Sequence, residues 1–400
     1  MRILYVNFEY PPLGGGGGVI NAQLAEEMAK RHEVYVLTSQ AFGLPEESIE
    51  NGVTVIRTPV YFRKKEPVAN MQSMLVFIPN GIAVGKKLLE RQKFDVINTQ
   101  FVLPSGPVGD ALARHAGIPH VLTMHGGDLY DPSKFTSPHR HPLLRAWVRR
   151  LIRRADAVVG GSKNTLANMR RFYTPDLEGN LIHLGIKRPD CYPNPRHEYG
   201  FKDEDILMVT VGRLVPRKAV DQLIKMVGRF KQGHLHLLVV GSGPEEPKLK
   251  EAARQLGISD KVPFFGFVED CEKFRVLGMS DIYVSASQHE GFCLSFLEAM
   301  HGGLPIVCYD YGGHTDYLED ELTGFVVPLN NLDLFTKRIK QLIESKELRE
   351  KFGEGNRVRV EDFYIDNCAT RYEAIFQKTV DIKKEAVDVN LLKSRTATFD

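Results

Sequence analysis

Two doubly wound α/β domains, each a mainly parallel sheet covered by helices on both faces, are what this sequence predicts. Three observations lead there. Short apolar runs alternate with amphipathic helical patterns along the whole chain, as in parallel sheets joined by helical crossovers. The 400 residues are too many for one ordinary domain and suit two of about 200 each. Midway, the segment R-P-D-C-Y-P-N-P-R-H-E-Y-G (188–200) carries three prolines, the composition of a linker. The expected division is therefore 1–190, a linker at 188–200 and 200–360, with a cleft between the domains. The weakly patterned tail 383–400 is expected to be loose.

Taken in order, the first half offers strands at Ile3–Phe8, Val34–Thr38, Val53–Arg57, Val96–Thr99, His120–Met124 and Ala157–Gly160. Amphipathic segments such as Asn21–Arg31 and Gly106–Ala116 lie between them. The second half continues with Ile206–Val211, His236–Val240, Val262–Phe265, Asp281–Ser285 and Pro305–Tyr309. These runs are mainly apolar, as strands buried on both faces require.

Composition narrows the class. With 43% hydrophobic and 26% charged residues and a net charge of +2, this is an ordinary globular chain with no global case for nucleic acid. The start M-R-I-L-Y-V lacks the apolar core of a signal peptide, and no apolar run approaches the roughly 20 residues of a membrane helix. The five cysteines (191, 271, 293, 308 and 368) form no C-x-x-C pair. Reduced thiols and a cytoplasmic location are expected, with no zinc site.

The most informative stretch is S-Q-H-E-G-F-C-L-S-F-L-E-A-M-H-G-G-L-P (287–305). It follows a short apolar strand. A helix is expected to begin after Gly291 and to stop at Gly302-Gly303, with Pro305 as breaker. Glu290 then lies in a loop at the carboxyl end of a strand, where open α/β sheets bind ligands. Glu298 is expected about two turns into the helix. The amides of Gly291, Phe292, Cys293 and Leu294 offer an anion site. A glycosidase pair fails on geometry, because eight helical residues span about 12 Å and hydrolase carboxyls stand roughly 5–9.5 Å apart. Two clamps on one long ligand fit better, and a nucleotide-sugar would suit them: ribose at Glu298, phosphate at the amides, sugar at Glu290.

This segment resembles the Glu, seven residues, Glu signature of retaining GT-B glycosyltransferases, the glycosyl transferases group 1 (family four). The resemblance extends over nearly the whole chain. It implies a GT-B fold whose last helices, about 361–380, cross back onto the first domain. It also implies a donor held by the second domain and an acceptor held mostly by the first.

Other elements fit that resemblance. Strand Ile206–Val211 runs into G-R-L-V-P-R-K-A. Arg213 and Lys218, cations at a strand's carboxyl end, could stabilise a leaving diphosphate, and the family holds its donor diphosphate with such a pair. Ala219 stands where the family has glycine, and Arg217 is left unassigned. Pro11-Pro12-Leu13 and five glycines, Gly14 to Gly18, read as a loop before a helix from Val19. Glycine allows close backbone approach to a ligand, so Gly15 and Gly16 are candidate donor contacts. The run matches neither the dinucleotide fingerprint nor a P-loop, which excludes a Rossmann dehydrogenase. Strand His120–Met124 ends in H-G-G-D, similar to the family's His-Gly-x-Asp element. There His125 would approach the transferred sugar, and Asp128 would orient it, hold an acceptor hydroxyl or cap the turn. Gly241, after strand His236–Val240, could pass close to the nucleotide, and Phe265-Gly266-Phe267-Val268 resembles the loop whose backbone reads the base edge in this family. The stretch H-L-G-I (183–186) departs from the family's N-G-V-D and carries no expected role.

The basic segment at 140–154 contains Arg145, Arg149, Arg150, Arg153 and Arg154 and no acid. It reads either as an ordinary surface helix with a solvated basic face or as a peripheral contact with anionic membrane, aided by Phe62, Arg63, Lys64 and Lys65 and by the Met71–Ile78 run. The expected function is a metal-independent, retaining hexosyl transfer from a UDP- or GDP-sugar, with no cofactor besides the donor, to a hydroxyl on a glycan, lipid-linked or small-molecule acceptor. His125, Glu290, Arg213 and Lys218 are the expected catalytic residues. The alternatives are a nucleotide-sugar epimerase of the same architecture and a non-catalytic sugar-nucleotide-binding protein.

Overall fold

The computed structural model describes residues 1–63, 70–189, 194–230 and 233–396, with side chains described as far as residue 386. Lys64, Lys65, Cys191 and part of the expected linker lie outside the described residues. The chain forms two compact units, Met1–Gly185 with Ile365–Asp400, and Ile186–Tyr364.

Among its described residues the first unit is built on eight strands: β1 (Arg2–Val6), β2 (Glu33–Gln40), β3 (Glu47–Glu50), β4 (Val53–Pro59), β5 (Val96–Gln100), β6 (His120–Met124), β7 (Ala157–Gly160) and β8 (Asn180–Leu181). Their order is β3-β4-β2-β1-β5-β6-β7-β8, all parallel except the β3–β4 pair. The sequence patterns missed β3 and β8, which are too short and polar to carry an apolar run. Among the described residues five helices lie between these strands: α1 (Gly16–Ala29), α2 (Met71–Arg91), α3 (Ser105–Ala116), α4 (Pro142–Arg154) and α5 (Lys163–Phe172). One apolar cluster gathers Tyr5, Leu24, Met28 and Val36 with Tyr372 and Phe376; another gathers Phe8, Leu37, Phe77, Val108 and Leu112. Helix α2 opens on a capping box formed by Asn70 and Ser73.

Among its described residues the second unit has six strands: β9 (Ile206–Val211), β10 (Leu235–Val240), β11 (Phe264–Gly266), β12 (Ile282–Ser285), β13 (Ile306–Tyr309) and β14 (Gly324–Val327). They are all parallel, in the order β11-β10-β9-β12-β13-β14. Its helices are α6 (Val220–Val227), α7 (Glu246–Gln255), α8 (Asp270–Gly278), α9 (Leu294–His301), α10 (Leu332–Glu344) and α11 (Lys346–Arg359). Strands β9, β10 and β13 and helices α6, α7 and α10 share one apolar core. Residues 196–199, inside the expected linker, instead form a short 3-10 turn fixed to this unit. The buried Arg196 reaches the Met279 carbonyl at 2.8 Å and the Asp281 carboxylate at 2.9 Å.

The last helix, α12 (Ile365–Thr396), belongs to the first unit. Cys368, Tyr372, Phe376 and Val380 bury its inner face. The tail expected to be loose from residue 383 thus continues the helix to Thr396.

The strand orders decide where ligands can sit. Open α/β sheets bind in the crevice at the carboxyl ends of two strands whose connections depart in opposite directions. In the first sheet that point falls between β1 and β5, and in the second between β9 and β12.

Candidate active site

At the β9/β12 point of the second unit, charges are paired before any ligand arrives. After β9, residues 216–218 form a single 3-10 turn that ends at Ala219, whose φ of 44° is left-handed. That explains why the resembling family has glycine there: a Cβ in this conformation is strained. The turn aims Lys218 Nζ at Glu290 Oε1, 2.5 Å away, while Arg217 Nη1 lies 3.1 Å from Glu290 Oε2. Arg217 also donates to Ser287 Oγ and the His289 carbonyl. Sequence reasoning left Arg217 unassigned; a cation beside Lys218 with no visible carboxylate partner gave no signal. Burial alone would raise the Glu290 pKa, but the charges of Lys218 and Arg217 and the Lys218 hydrogen bond outweigh it and hold the carboxyl far below its ordinary range. Arg213 is exposed and pairs with no carboxylate among the described residues.

Backbone crowding fixes the same loops. A Cβ on Gly241 would lie 2.0 Å from the Gly212 carbonyl oxygen, and one on Gly312 would lie 2.2 Å from that of Glu290. Gly312 gives Glu290 its position: the two residues form a parallel bridge, and the Gly313 amide donates to the Glu290 carbonyl at 2.8 Å. Nothing in the sequence reading singled out Gly312.

Helix α9 begins at Leu294, later than expected, because Cys293 turns the chain with a φ of 77°. Tyr317 holds this turn, its hydroxyl donating to the carbonyls of Phe292 and Cys293. The amides of Gly291, Phe292 and Cys293 therefore belong to a bend ahead of the helix rather than to its first turn. Glu298 stands about one turn into the helix, not two. Its carboxylate pairs with Lys273 Nζ of α8 at 2.7 Å, a partner the sequence did not reveal. Burial raises the Glu298 pKa and Lys273 opposes that rise. Phe267 is 75% exposed beyond β11, and the Gly241 amide donates to the Gly266 carbonyl at 2.7 Å.

The β1/β5 edge of the first unit is chemically different. Strand β1 ends at Val6, earlier than expected, and α1 begins at Gly16, so Gly16, Gly17 and Gly18 are helical and only Gly14 and Gly15 precede the helix. The Gly15 amide donates to Glu9 Oε2 at 3.3 Å. Gly17 is glycine for a packing reason: its Cβ would lie 2.4 Å from the Phe101 ring. Phe101, itself at a φ of 69°, stacks on His125 with centroids 4.2 Å apart. The half-buried His125 donates from Nε2 to Gln100 Oε1 at 2.8 Å. Burial lowers its pKa to about 4, so at neutral pH the ring is uncharged and Nδ1 is its accepting nitrogen. Asp128 serves as a cap, accepting from the amides of His125 and Val102 at 3.0 and 2.9 Å.

The arginines of α4 have work within their own unit. Arg145 and Arg149 donate to the carbonyls of Phe172 and Tyr173; Arg153 pairs with Asp176 and Arg154 with Asp110. Arg150 is exposed. Among the described residues no helix is long and apolar enough to cross a membrane, and no group of three or more His, Cys, Asp or Glu could hold a metal. A cavity of about 280 Å³ lined by Asp156, Asn180, Lys378 and Lys383 opens at the amino end of β7. Ligands of such sheets bind at the opposite, carboxyl edge.

Comparison with known proteins fits this geometry. Residues 14–187 match the profile of Glycosyltransferase Family 4 and residues 193–359 that of Glycosyl transferases group 1, which together cover most of the chain. The chain belongs to the group 1 glycosyltransferases. It is 25% identical over 379 residues to the N-acetyl-alpha-D-glucosaminyl L-malate synthase of Bacillus anthracis, covering 92% of this chain and 94% of that one. It is 24% identical to a GDP-mannose-dependent alpha-(1-6)-phosphatidylinositol monomannoside mannosyltransferase of Mycolicibacterium smegmatis, covering 85% and 89%. Among solved structures, sucrose-phosphate synthase of Thermosynechococcus elongatus superposes with a TM-score of 0.82 at 22% identity, covering 94% and 98%. HepE of Anabaena, in complex with UDP and glucose, gives 0.77 at 18% identity, covering 94% and 100%. This glycosyltransferase accordingly has the GT-B fold, two Rossmann-like units with parallel sheets, and the relatives named for sugar transfer do not favour the epimerase alternative.

Proposed function

We propose that this glycosyltransferase moves a hexosyl group from a nucleoside diphosphate sugar to a hydroxyl acceptor, with retention at the anomeric carbon and without a metal ion. One observation carries the reading: Arg213, Arg217 and Lys218 follow β9, and Glu290 faces the last two across the β9/β12 switch point. As the bond between sugar and phosphate breaks, negative charge grows on the diphosphate. Fixed cations there stabilise the transition state more than the ground state. Arg213 and Lys218 take the diphosphate, Glu290 accepts from sugar hydroxyls, and Glu298 accepts from the ribose. The bend at Gly291–Cys293 adds amides beside the phosphate. The acceptor oxygen attacks on the face that the diphosphate leaves, and its proton passes to the departing phosphate oxygen; no side chain is needed as nucleophile. His125 of the first unit, uncharged at neutral pH, offers Nδ1 as a hydrogen-bond acceptor for a hydroxyl group. A GDP-mannose-dependent relative and a neighbour holding UDP support a UDP- or GDP-linked donor.

The test is a panel of UDP- and GDP-sugars scored by rise in melting temperature, since a ligand bound only by the folded chain stabilises it. The sugar that protects is then offered with candidate acceptors in EDTA, and the product's anomeric configuration is read by NMR. Transfer in EDTA with the donor's own configuration is expected. An inverted product overturns retention, and activity abolished by EDTA and restored by magnesium or manganese overturns metal independence.

A further inference from the structure

Resting on the donor reading above, we propose that Lys273 is a positioning residue for the nucleotide: it fixes the Glu298 carboxylate in the direction the ribose hydroxyls need, and so sets the preference for ribonucleotide over deoxyribonucleotide. Lys273 lies in the first turn of α8, a few residues beyond β11 and Phe267. In sequence, E-D-C-E-K-F (269–274) reads as the solvated start of a surface helix. The structure turns this lysine inward instead. Its Nζ stands 2.7 Å from Glu298 Oε1 and 2.8 Å from Asp270 Oδ1, and 4.6 Å from the centroid of the Phe274 ring. The Lys273 and Glu298 side chains are only 14% and 15% exposed, whereas Asp270 is 69% exposed. The lysine thus links a surface carboxylate to a sheltered one.

That arrangement has a consequence for recognition. A carboxylate one turn into a helix can rotate about its side-chain bonds, and a vicinal diol is held well only when the acceptor oxygens face it. An ammonium fixed from α8 removes that freedom and keeps the carboxylate charged, and hydrogen bonds to a charged acceptor are the stronger ones. A sheltered carboxylate stripped of its cation takes up a proton more readily and turns toward water. The effect of losing Lys273 should therefore fall on the ribose and not evenly on the whole nucleotide.

The experiment is calorimetric binding of UDP and GDP, each against its 2′-deoxy counterpart, with melting temperatures measured on every variant. Wild type should prefer the ribose form by roughly 10-fold or more, as one hydrogen bond to a charged group provides. Glu298→Gln and Lys273→Leu should both reduce the preference to about 3-fold or less, and Lys273→Arg, which keeps the charge, should restore part of it. Should Lys273→Leu fail to fold, the exposed Asp270→Asn decides: a smaller preference supports the positioning role and an unchanged one overturns it. A folded Lys273→Leu that melts lower but keeps the wild-type preference is a structural ion pair only, and sinks the inference while the donor reading stands. If neither nucleotide binds, or if Glu298→Gln keeps the preference, the ribose assignment itself fails and the inference falls with it.

Discussion

The switch-point edges of the two sheets share a topology and differ in chemistry. In the second unit, Lys218 and Arg217 enclose Glu290, and Lys273 holds Glu298. In the first, the equivalent edge presents a glycine helix start, the Phe101 ring and a neutral His125 bound to Gln100. Both edges store backbone strain, at Ala219 and Cys293 in one and at Phe101 in the other. What separates them is charge. Paired charges can exchange partners with an anionic ligand at little desolvation cost, because the cations have already left bulk water. A neutral, half-buried edge suits hydroxyl groups, for which a full charge gives less discrimination. The same layered architecture thus presents paired charges at one edge and a neutral ring at the other, in keeping with the proposed anionic donor on one unit and uncharged hydroxyls on the other.

If this contrast is functional, the charged edge should be the more sensitive to truncation. Lys218→Ala should lower kcat by about 10³-fold, more than it weakens nucleoside diphosphate binding, because the leaving-group charge peaks in the transition state. Equal losses in affinity and kcat/KM with an unchanged kcat would break the comparison on this side.

On the neutral edge, His125→Ala should cost about 10²-fold in kcat with diphosphate affinity nearly intact. A lower melting temperature with near-normal turnover would mark it as a packing residue. His125 also makes a prediction about acid. Burial holds its pKa near 4 against an ordinary 6.5, so between those values the unfolded chain binds a proton that the folded chain declines. Stability should fall as pH drops through this window, where His120, also held near 4, acts in the same sense. His125→Gln should flatten that slope. Glu290 acts in the same sense but in a lower window: its depressed pKa stabilises the fold above the ordinary carboxyl value of 4.5, and this is lost only as pH falls further. Melting curves from pH 7.5 to 3.5 separate the two.

The smallest effect sharpens the strain argument. Ala219→Gly should stabilise the protein by about 1 kcal/mol, since the left-handed conformation costs an alanine roughly that much. A destabilised variant would show that the Ala219 methyl, 7% exposed against the core of α6, contributes more by packing than it costs in strain.

The alternation of short apolar runs with helical patterns determined the fold class by itself, because strands buried on both faces must be apolar and their crossovers must be amphipathic. Motif spacing placed Arg213, Lys218, Glu290, His125 and the glycine run in the segments that follow strands, and Glu298 in a helix beyond one, since residues past a strand's last apolar position lead into its connection. Strand order was not legible, because β9 and β12 become neighbours through hydrogen bonds made 70 or more residues apart, and local pattern does not record which edges meet. For the same reason Arg217 was left without a role, and Lys273, Gln100, Phe101 and Gly312 passed unnoticed. Each acts through a partner distant in sequence, and a lone arginine or lysine reads as a solvated surface charge until a carboxylate stands beside it. Residue type and spacing set which chemistry the chain carries, and tertiary packing alone decided which charges are paired, because ion pairing and steric approach depend on distance in space.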